Sequence, residues 1–214
     1  GLEDLRRSGK VSWLRPDGKS QITLENNAVK TVLVSTQHAE EATNEEMRSF
    51  LVSNLIKPVV GEITDENILI NPTGKFAQGG FDADAGLTGR KIMVDTYGGI
   101  IPHGGGCFSG KDPTKVDRSA AYMARYVAKN LVTNGLAQKC LVSVAYAIGK
   151  AEPLMVEALD ENGNSLASLV NEKFDFRPLA IIERLNLRRP IYLQTAAYGH
   201  FGKPGLPWEE VIKI

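Results

Sequence analysis

Between Gly98 and Arg118 the chain reads Gly-Gly-Ile-Ile-Pro-His-Gly-Gly-Gly-Cys-Phe-Ser-Gly-Lys-Asp-Pro-Thr-Lys-Val-Asp-Arg. Five glycines, Gly98, Gly99, Gly104, Gly105 and Gly106, come before Cys107, ahead of the first helix signal. Such a run suits neither a helix nor a strand interior. It gives a backbone that can turn with positive φ or bring its amides against a ligand. Asp112 is a favoured N-cap and Pro113 suits the first helical position, so the run is expected to feed a helix with Lys111 at its mouth. Free amides and the positive end of the helix dipole, with Lys111 and Lys115, favour a polyanion, and phosphate is the natural candidate. The stretch falls short of a P-loop. Gly105, Gly110 and Lys111 fit the spacing, but Asp112 occupies the Ser/Thr position and no strand leads directly in.

Around this loop the chain alternates strand and helix signals. Trp13 to Gln21 contains Pro-Asp-Gly, a turn signal with Lys19 just beyond it. Val29 to Ser35 is a β-branched run that reads as a buried strand. Thr43 with Glu46 forms a capping box, and Met47, Phe50, Leu51 and Leu55 recur at helical spacing until Pro58. Ile68 to Ile70 is a short apolar strand, followed by Asn-Pro-Thr-Gly, Lys75 and Phe76. Phe76 is open to two readings, a core residue or a ring beside a glycine loop that stacks on a flat ligand. Arg90 and Lys91 lead into an expected strand from Ile92 to Thr96. They are either solvated or, being close in sequence to the glycine run, part of one anion site. Val116, Ala120, Ala124, Val127 and Leu131 mark one face of a long helix that stops before Gly135. Cys140 to Ile148 alternates as a half-buried strand, and Leu166, Leu169, Val170 and Phe174 suggest a further helix. No regular βαβ rhythm runs through this order, so an α+β architecture is expected.

The 25 Lys and Arg balance the 25 Asp and Glu, so no global basic field points to nucleic acid or an anionic membrane. Two cysteines, Cys107 and Cys140, make no disulfide framework and no zinc spacing, which fits a reducing cytoplasm. No apolar run approaches the roughly 20 residues of a membrane span.

Several separated stretches together resemble the S-adenosylmethionine synthetases. They are Arg-Pro-Asp-Gly-Lys-Ser-Gln, Ser-Thr-Gln-His, Ile-Asn-Pro-Thr-Gly, Gly-Leu-Thr-Gly-Arg-Lys (86 to 91), Val-Asp-Thr-Tyr-Gly-Gly (94 to 99), His-Gly-Gly-Gly (103 to 106), the run from Phe108 to Tyr122, Ala-Arg-Tyr-Val-Ala-Lys-Asn (124 to 130) and Ala-Ala-Tyr-Gly-His-Phe-Gly. The resemblance covers essentially the whole chain. It implies three similar, interleaved α/β-sandwich domains: residues 1–79 completing the first, 80–119 a second segment of the central one, and 120–214 the third. It also implies synthesis of S-adenosylmethionine from ATP and L-methionine, with the triphosphate hydrolysed to pyrophosphate and phosphate. Magnesium (two ions per site) and potassium are the implied cofactors, and the implied assembly is a homodimer with shared active sites that pairs into a homotetramer. A noncatalytic or regulatory homologue that keeps the nucleotide site is the competing reading.

By matching motif, the resemblance implies that Asp17, Gly18, Lys19, Lys75, Phe76, Asp84, Arg90, Lys91, Cys107 and Lys111 bind ATP. Asp84 and Lys115 would hold methionine, Asp117 would ligate magnesium, and Lys111, Arg90 and Lys115 would carry the catalysis. Cys107 would offer its backbone, since the family carries alanine there. A thioether is already a neutral nucleophile and needs no general base. The demand falls instead on charge stabilisation of a leaving triphosphate. Departures from the family pattern are expected to matter. The front segment with its His-Pro-Asp-Lys stretch, potassium-binding glutamate and gating loop has no match. The connections after Asn27, between Pro153 and Met155, and around Asn162 to Leu166 look short, and Phe81-Asp82-Ala83 replaces Pro-x-Gly before Asp84. On this reading the stretch alone would be inactive.

Overall fold

A computed structural model describes residues 1–214, which divide into two compact units, Gly1–Gly86 and Leu87–Ile214. The architecture is mixed α/β with small sheets, as the alternating signals imply. No helix is long and apolar enough to cross a membrane.

The first unit is built on a three-stranded sheet in the order β1-β2-β3. Strand β1 (Leu14–Glu25) pairs antiparallel with β2 (Ala28–His38), and β3 (Ile68–Ile70) joins β2 in parallel. The hairpin turns at Asn26 and Asn27, both with positive φ (52° and 64°), the two-residue geometry whose twist matches the strands. The Pro16-Asp17-Gly18 signal therefore marks no turn. It lies inside β1, where the pairing register slips between Leu14 and Gly18, and an irregularity of this kind accommodates the proline that a regular ladder excludes. Val29 to Ser35 falls within β2, as expected. Its even positions Val32, Val34, Thr36 and His38 are buried.

Val32 and Val34 share a core with α1 (Leu2–Arg7) and the helix that begins with α2 (Asn44–Leu51), through Leu5, Met47, Leu51 and Ile56. The Thr43 hydroxyl accepts the Glu46 N–H at 3.2 Å, so the cap stands where the sequence put it. The helix does not stop at Pro58. It widens to a π segment at Val52–Ile56 and continues as α3 (Lys57–Val60). The wider turn relieves the contact a proline ring otherwise makes with the carbonyl four residues back. At the end of β3, Asn71 copies a strand residue. Its Oδ1 accepts the Thr36 N–H at 2.8 Å and its Nδ2 donates to the Thr36 carbonyl at 3.1 Å.

The second unit surrounds α5 (Val116–Thr133). Tyr122, Met123, Val127 and Leu131 are fully buried against Trp208, Leu206, Ile181 and Leu187. Strands β4 (Leu141–Ala145) and β5 (Met155–Leu159) form an antiparallel pair, and α6 (Ala167–Lys173) and α7 (Pro178–Arg184) complete the layer. Two expectations fail here. Ile92 to Thr96 is not a strand, because neither β4 nor β5 pairs with it. Instead it closes one helical turn, α4 (Ile92–Asp95), with the Asp95 N–H on the Lys91 carbonyl and the Thr96 hydroxyl on the Ile92 carbonyl. The long helix starts at Val116 with Lys115 in the cap position, not at Asp112. The Asp112 carboxylate is taken by the Thr114 N–H and hydroxyl at 2.8 and 2.5 Å, a local turn that competes with capping.

Replacing Asn71 by Ala strips both backbone groups of buried Thr36 of their partners. The expected cost is about 2–4 kcal/mol in chemical denaturation, and a loss below 0.5 kcal/mol would show that water replaces the side chain.

Candidate functional site

In the first unit the expected ligand residues gather at one end of the hairpin. Asp17, Gly18 and Lys19 lie on β1, and the segment after β3 is tied beside them. The Asp17 carboxylate accepts the Gly80 N–H at 3.0 Å, and Gln37 donates to the Ala77 carbonyl at 3.0 Å. His38 clamps Phe76 on both sides, its backbone N–H donating to the Phe76 carbonyl at 2.9 Å and its Nε2 accepting the Phe76 N–H at 3.0 Å. Because Nε2 accepts, the ring proton sits on Nδ1, which reaches the Ala39 carbonyl at 2.8 Å. Phe76 is half-buried, between the two readings its sequence left open. Lys75 is ion-paired with Glu40. Asp84 is exposed. Its N–H meets the Gly80 carbonyl, and its carboxylate closes a turn on the Gly86 N–H at 2.9 Å.

In the second unit the glycine run is folded over the first turn of α5. Gly106 must be glycine for this, because a Cβ there would stand 2.3 Å from the Asp117 carboxyl carbon. Lys111 Nζ donates to Asp117 Oδ2 at 2.7 Å. That bond holds the Lys111 ammonium above its usual range, with the Asp117 charge and the neighbouring Cys107 adding to it against a smaller effect of burial. The segment carrying Arg90 runs alongside. A Cβ on Gly89 would meet Cys107 Sγ at 3.4 Å and Cys107 Cβ at 2.9 Å, and one on Gly110 would meet Thr88 at 3.6 Å. Cys107, Lys111 and Asp117 are thus brought together, with the backbone leading into Arg90 against them. Lys91 donates to the Arg90 carbonyl, and Lys115 is exposed beside Asp112 at 3.7 Å.

No three His, Cys, Asp or Glu side chains converge to hold a metal ion. Asp117, engaged by Lys111, supplies a single oxygen-donor side chain, and magnesium demands a near-octahedral oxygen set. These residues by themselves do not fit a complete magnesium site.

The sequence reading missed the residues that hold this loop in place. Arg118, Tyr122 and His200 are buried and hydrogen-bonded to one another beneath it. One signal was available, since Arg118 and Tyr122 stand four apart on the helix face that also buries Ser119, Met123 and Tyr126.

The models of two S-adenosylmethionine synthetase domains match the chain, the central domain over residues 1–76 and the C-terminal domain over residues 78–210. The S-adenosylmethionine synthase of Petrotoga mobilis is 52% identical over 230 aligned positions that cover 100% of this chain and 57% of that protein. Those of Deinococcus deserti and Deinococcus radiodurans are each 52% identical, covering 98% of this chain and 56% and 55% of their own lengths. The alignment with the Petrotoga protein is longer than the 214 residues present, so that relative carries residues without a counterpart here. The chain spans little more than half the length of these relatives.

Burial pushes the His200 imidazole down to about 4, with the charges of Arg118 and Lys203 acting in the same direction. An unfolded chain takes up a proton near pH 6.5 that the folded one refuses until about pH 4. Stability is therefore full above pH 6.5 and falls as the pH is lowered through that window. The expected loss is on the order of 3 kcal/mol, read as unfolding free energy against pH. An imidazole that titrates near 6.5 by NMR would contradict this burial.

Proposed function

We propose that this chain, which belongs to the S-adenosylmethionine synthetase family, works in the synthesis of S-adenosylmethionine from ATP and L-methionine. The methionine sulfur attacks C5′ of ATP and the C5′–oxygen bond breaks. The triphosphate leaves, and water then splits it into pyrophosphate and phosphate. The observation that carries the reading is Lys111, a cation held in a glycine-rich loop by a 2.7 Å contact with Asp117 that raises its pKa further. A thioether nucleophile has no proton to lose, so such a site needs fixed positive charge and no catalytic base.

In this scheme Lys111, Arg90 and Lys115 stabilise the charge that develops on the leaving triphosphate. Lys91, Lys19 and Lys75 are each assigned to its binding, as are the Asp17–Gly18 backbone and the position of Cys107. Phe76 stacks on the adenine ring, and Asp84 and Lys115 are each assigned to methionine. Magnesium would take Asp117 as one ligand among others that this chain does not gather, and potassium would accompany it. The assembly we propose is a homodimer with shared sites, pairing into a tetramer, in the cytoplasm.

Lys111→Met in the protein that carries this chain should lower methionine-dependent release of phosphate and pyrophosphate by about 100-fold to 1000-fold, with little change in unfolding midpoint. Unchanged turnover would remove Lys111 from the mechanism. Sedimentation should give a dimer or larger species, and a monomer would sink the shared-site assembly.

A further inference from the structure

Arg118 is 5% exposed and His200 is 1% exposed, yet neither belongs to the charged set assigned to ATP. Polar groups at such depth are retained only with partners. The Arg118 guanidinium has three. Nη1 donates to the Lys111 carbonyl at 2.8 Å, Nε to the Tyr122 hydroxyl at 3.0 Å, and Nη2 to Thr195 Oγ1 at 3.4 Å. Its carbon also stands 4.2 Å from the centre of the Tyr192 ring.

The direction of the chain of hydrogen bonds follows from its first member. Arginine has donors only, so the Tyr122 oxygen accepts from it; the buried phenol proton then needs an acceptor of its own, and His200 Nδ1 stands 2.7 Å away. Nδ1 therefore carries no proton, and Nε2 carries the proton that points to Ser109 Oγ at 3.4 Å. The backbone of His200 is fixed as well, its N–H on the Asp95 carbonyl at 2.9 Å and its carbonyl taking Trp208 Nε1 at 2.8 Å. Tyr122 stacks on Trp208 with ring centres 3.7 Å apart, which holds the relay at its middle.

Both ends of this network reach the glycine-rich loop. One end holds the Lys111 carbonyl and the other the Ser109 hydroxyl, on either side of Gly110, whose φ of 88° lies in the left-handed region that glycine adopts without strain. We infer that Arg118, Tyr122 and His200 are positioning residues that set the place of the Lys111 ammonium by fixing the loop at Ser109 and Lys111. This inference rests on the reading of Lys111 as a phosphate-stabilising group.

The test uses the protein that carries this chain and compares Tyr122→Phe, which deletes one oxygen, with Lys111→Met. Tyr122→Phe is expected to lower kcat on the order of tenfold or more, with KM for ATP and methionine changing less. Its circular dichroism should stay unchanged and the His200 nitrogen shifts should move. A kcat within twofold of the parent for a folded Tyr122→Phe, while Lys111→Met is inactive, overturns the positioning role and leaves the phosphate reading intact. Full activity of Lys111→Met overturns both. Nitrogen-15 NMR of the unmutated protein decides independently of any variant's folding. The proton of His200 is expected on Nε2 near neutral pH, and a proton on Nδ1 overturns the relay.

Discussion

An irregular segment packed against a helix has to find partners for its backbone polar groups, and in the second unit α5 supplies them. Arg118 reaches the Lys111 carbonyl ahead of the helix, while Asn130 and Asn134 serve the tail behind it. Between these, Arg125 and Lys129 converge on Glu209 at 2.9 and 2.8 Å. Burial of the Glu209 carboxyl works to raise its pKa. Hydrogen bonds from Arg125, Lys129 and the Gly202 N–H outweigh that and hold it below the usual range. A buried carboxylate with one partner would be costly, but with three donors it locates the chain. The apolar face of α5 supplies the bulk of the packing, and its polar residues decide which packing is adopted.

Much of the fold was legible wherever side-chain pattern and backbone demand agree. The β-branched run from Val29 to Ser35, the Thr43 cap and the stop before Gly135 all lie where a buried face and a local rule point the same way. The reading failed where a local signal met a tertiary constraint. Pro16-Asp17-Gly18 has turn chemistry, yet the strand runs through it because Asn26 and Asn27 take the positive φ values that a hairpin turn needs. Ile92 to Thr96 has strand composition, but a strand of this length needs a neighbour and none pairs with it. Asp112 has a capping side chain, and Thr114 claims it first.

For the site, the charged residues were legible as an inventory because phosphate chemistry asks for lysine and arginine beside glycine. Their supports were not, since the four-residue spacing of Arg118 and Tyr122 is the one mark they carry and nothing in the sequence ties His200 to them. Arg118 lies beside charged Asp117 and reads as one more exposed cation, although its neighbours in space are Tyr122, Thr195 and the Lys111 carbonyl. Likewise His38 and Phe76 are 38 residues apart, and only the sheet brings them together.

The tail is read by the helix as a strand would read it. Asn130 donates to the Glu210 carbonyl and accepts from the Ile212 N–H, and Asn134 repeats this on the Ile212 carbonyl and the Ile214 N–H. Four helical residues advance about 6 Å and two extended residues about 6.6 Å, so the two spacings are commensurate. A commensurate ladder has a degeneracy, because the tail could slide by two residues and meet identical amides. The asparagines therefore fix which edge of the tail faces the helix and leave its longitudinal phase undetermined. That phase is set by Glu209, whose carboxylate meets Arg125 and Lys129, together with Trp208 stacked on Tyr122, so an ionic key and a buried ring select among registers that the asparagine hydrogen bonds alone would treat as equal.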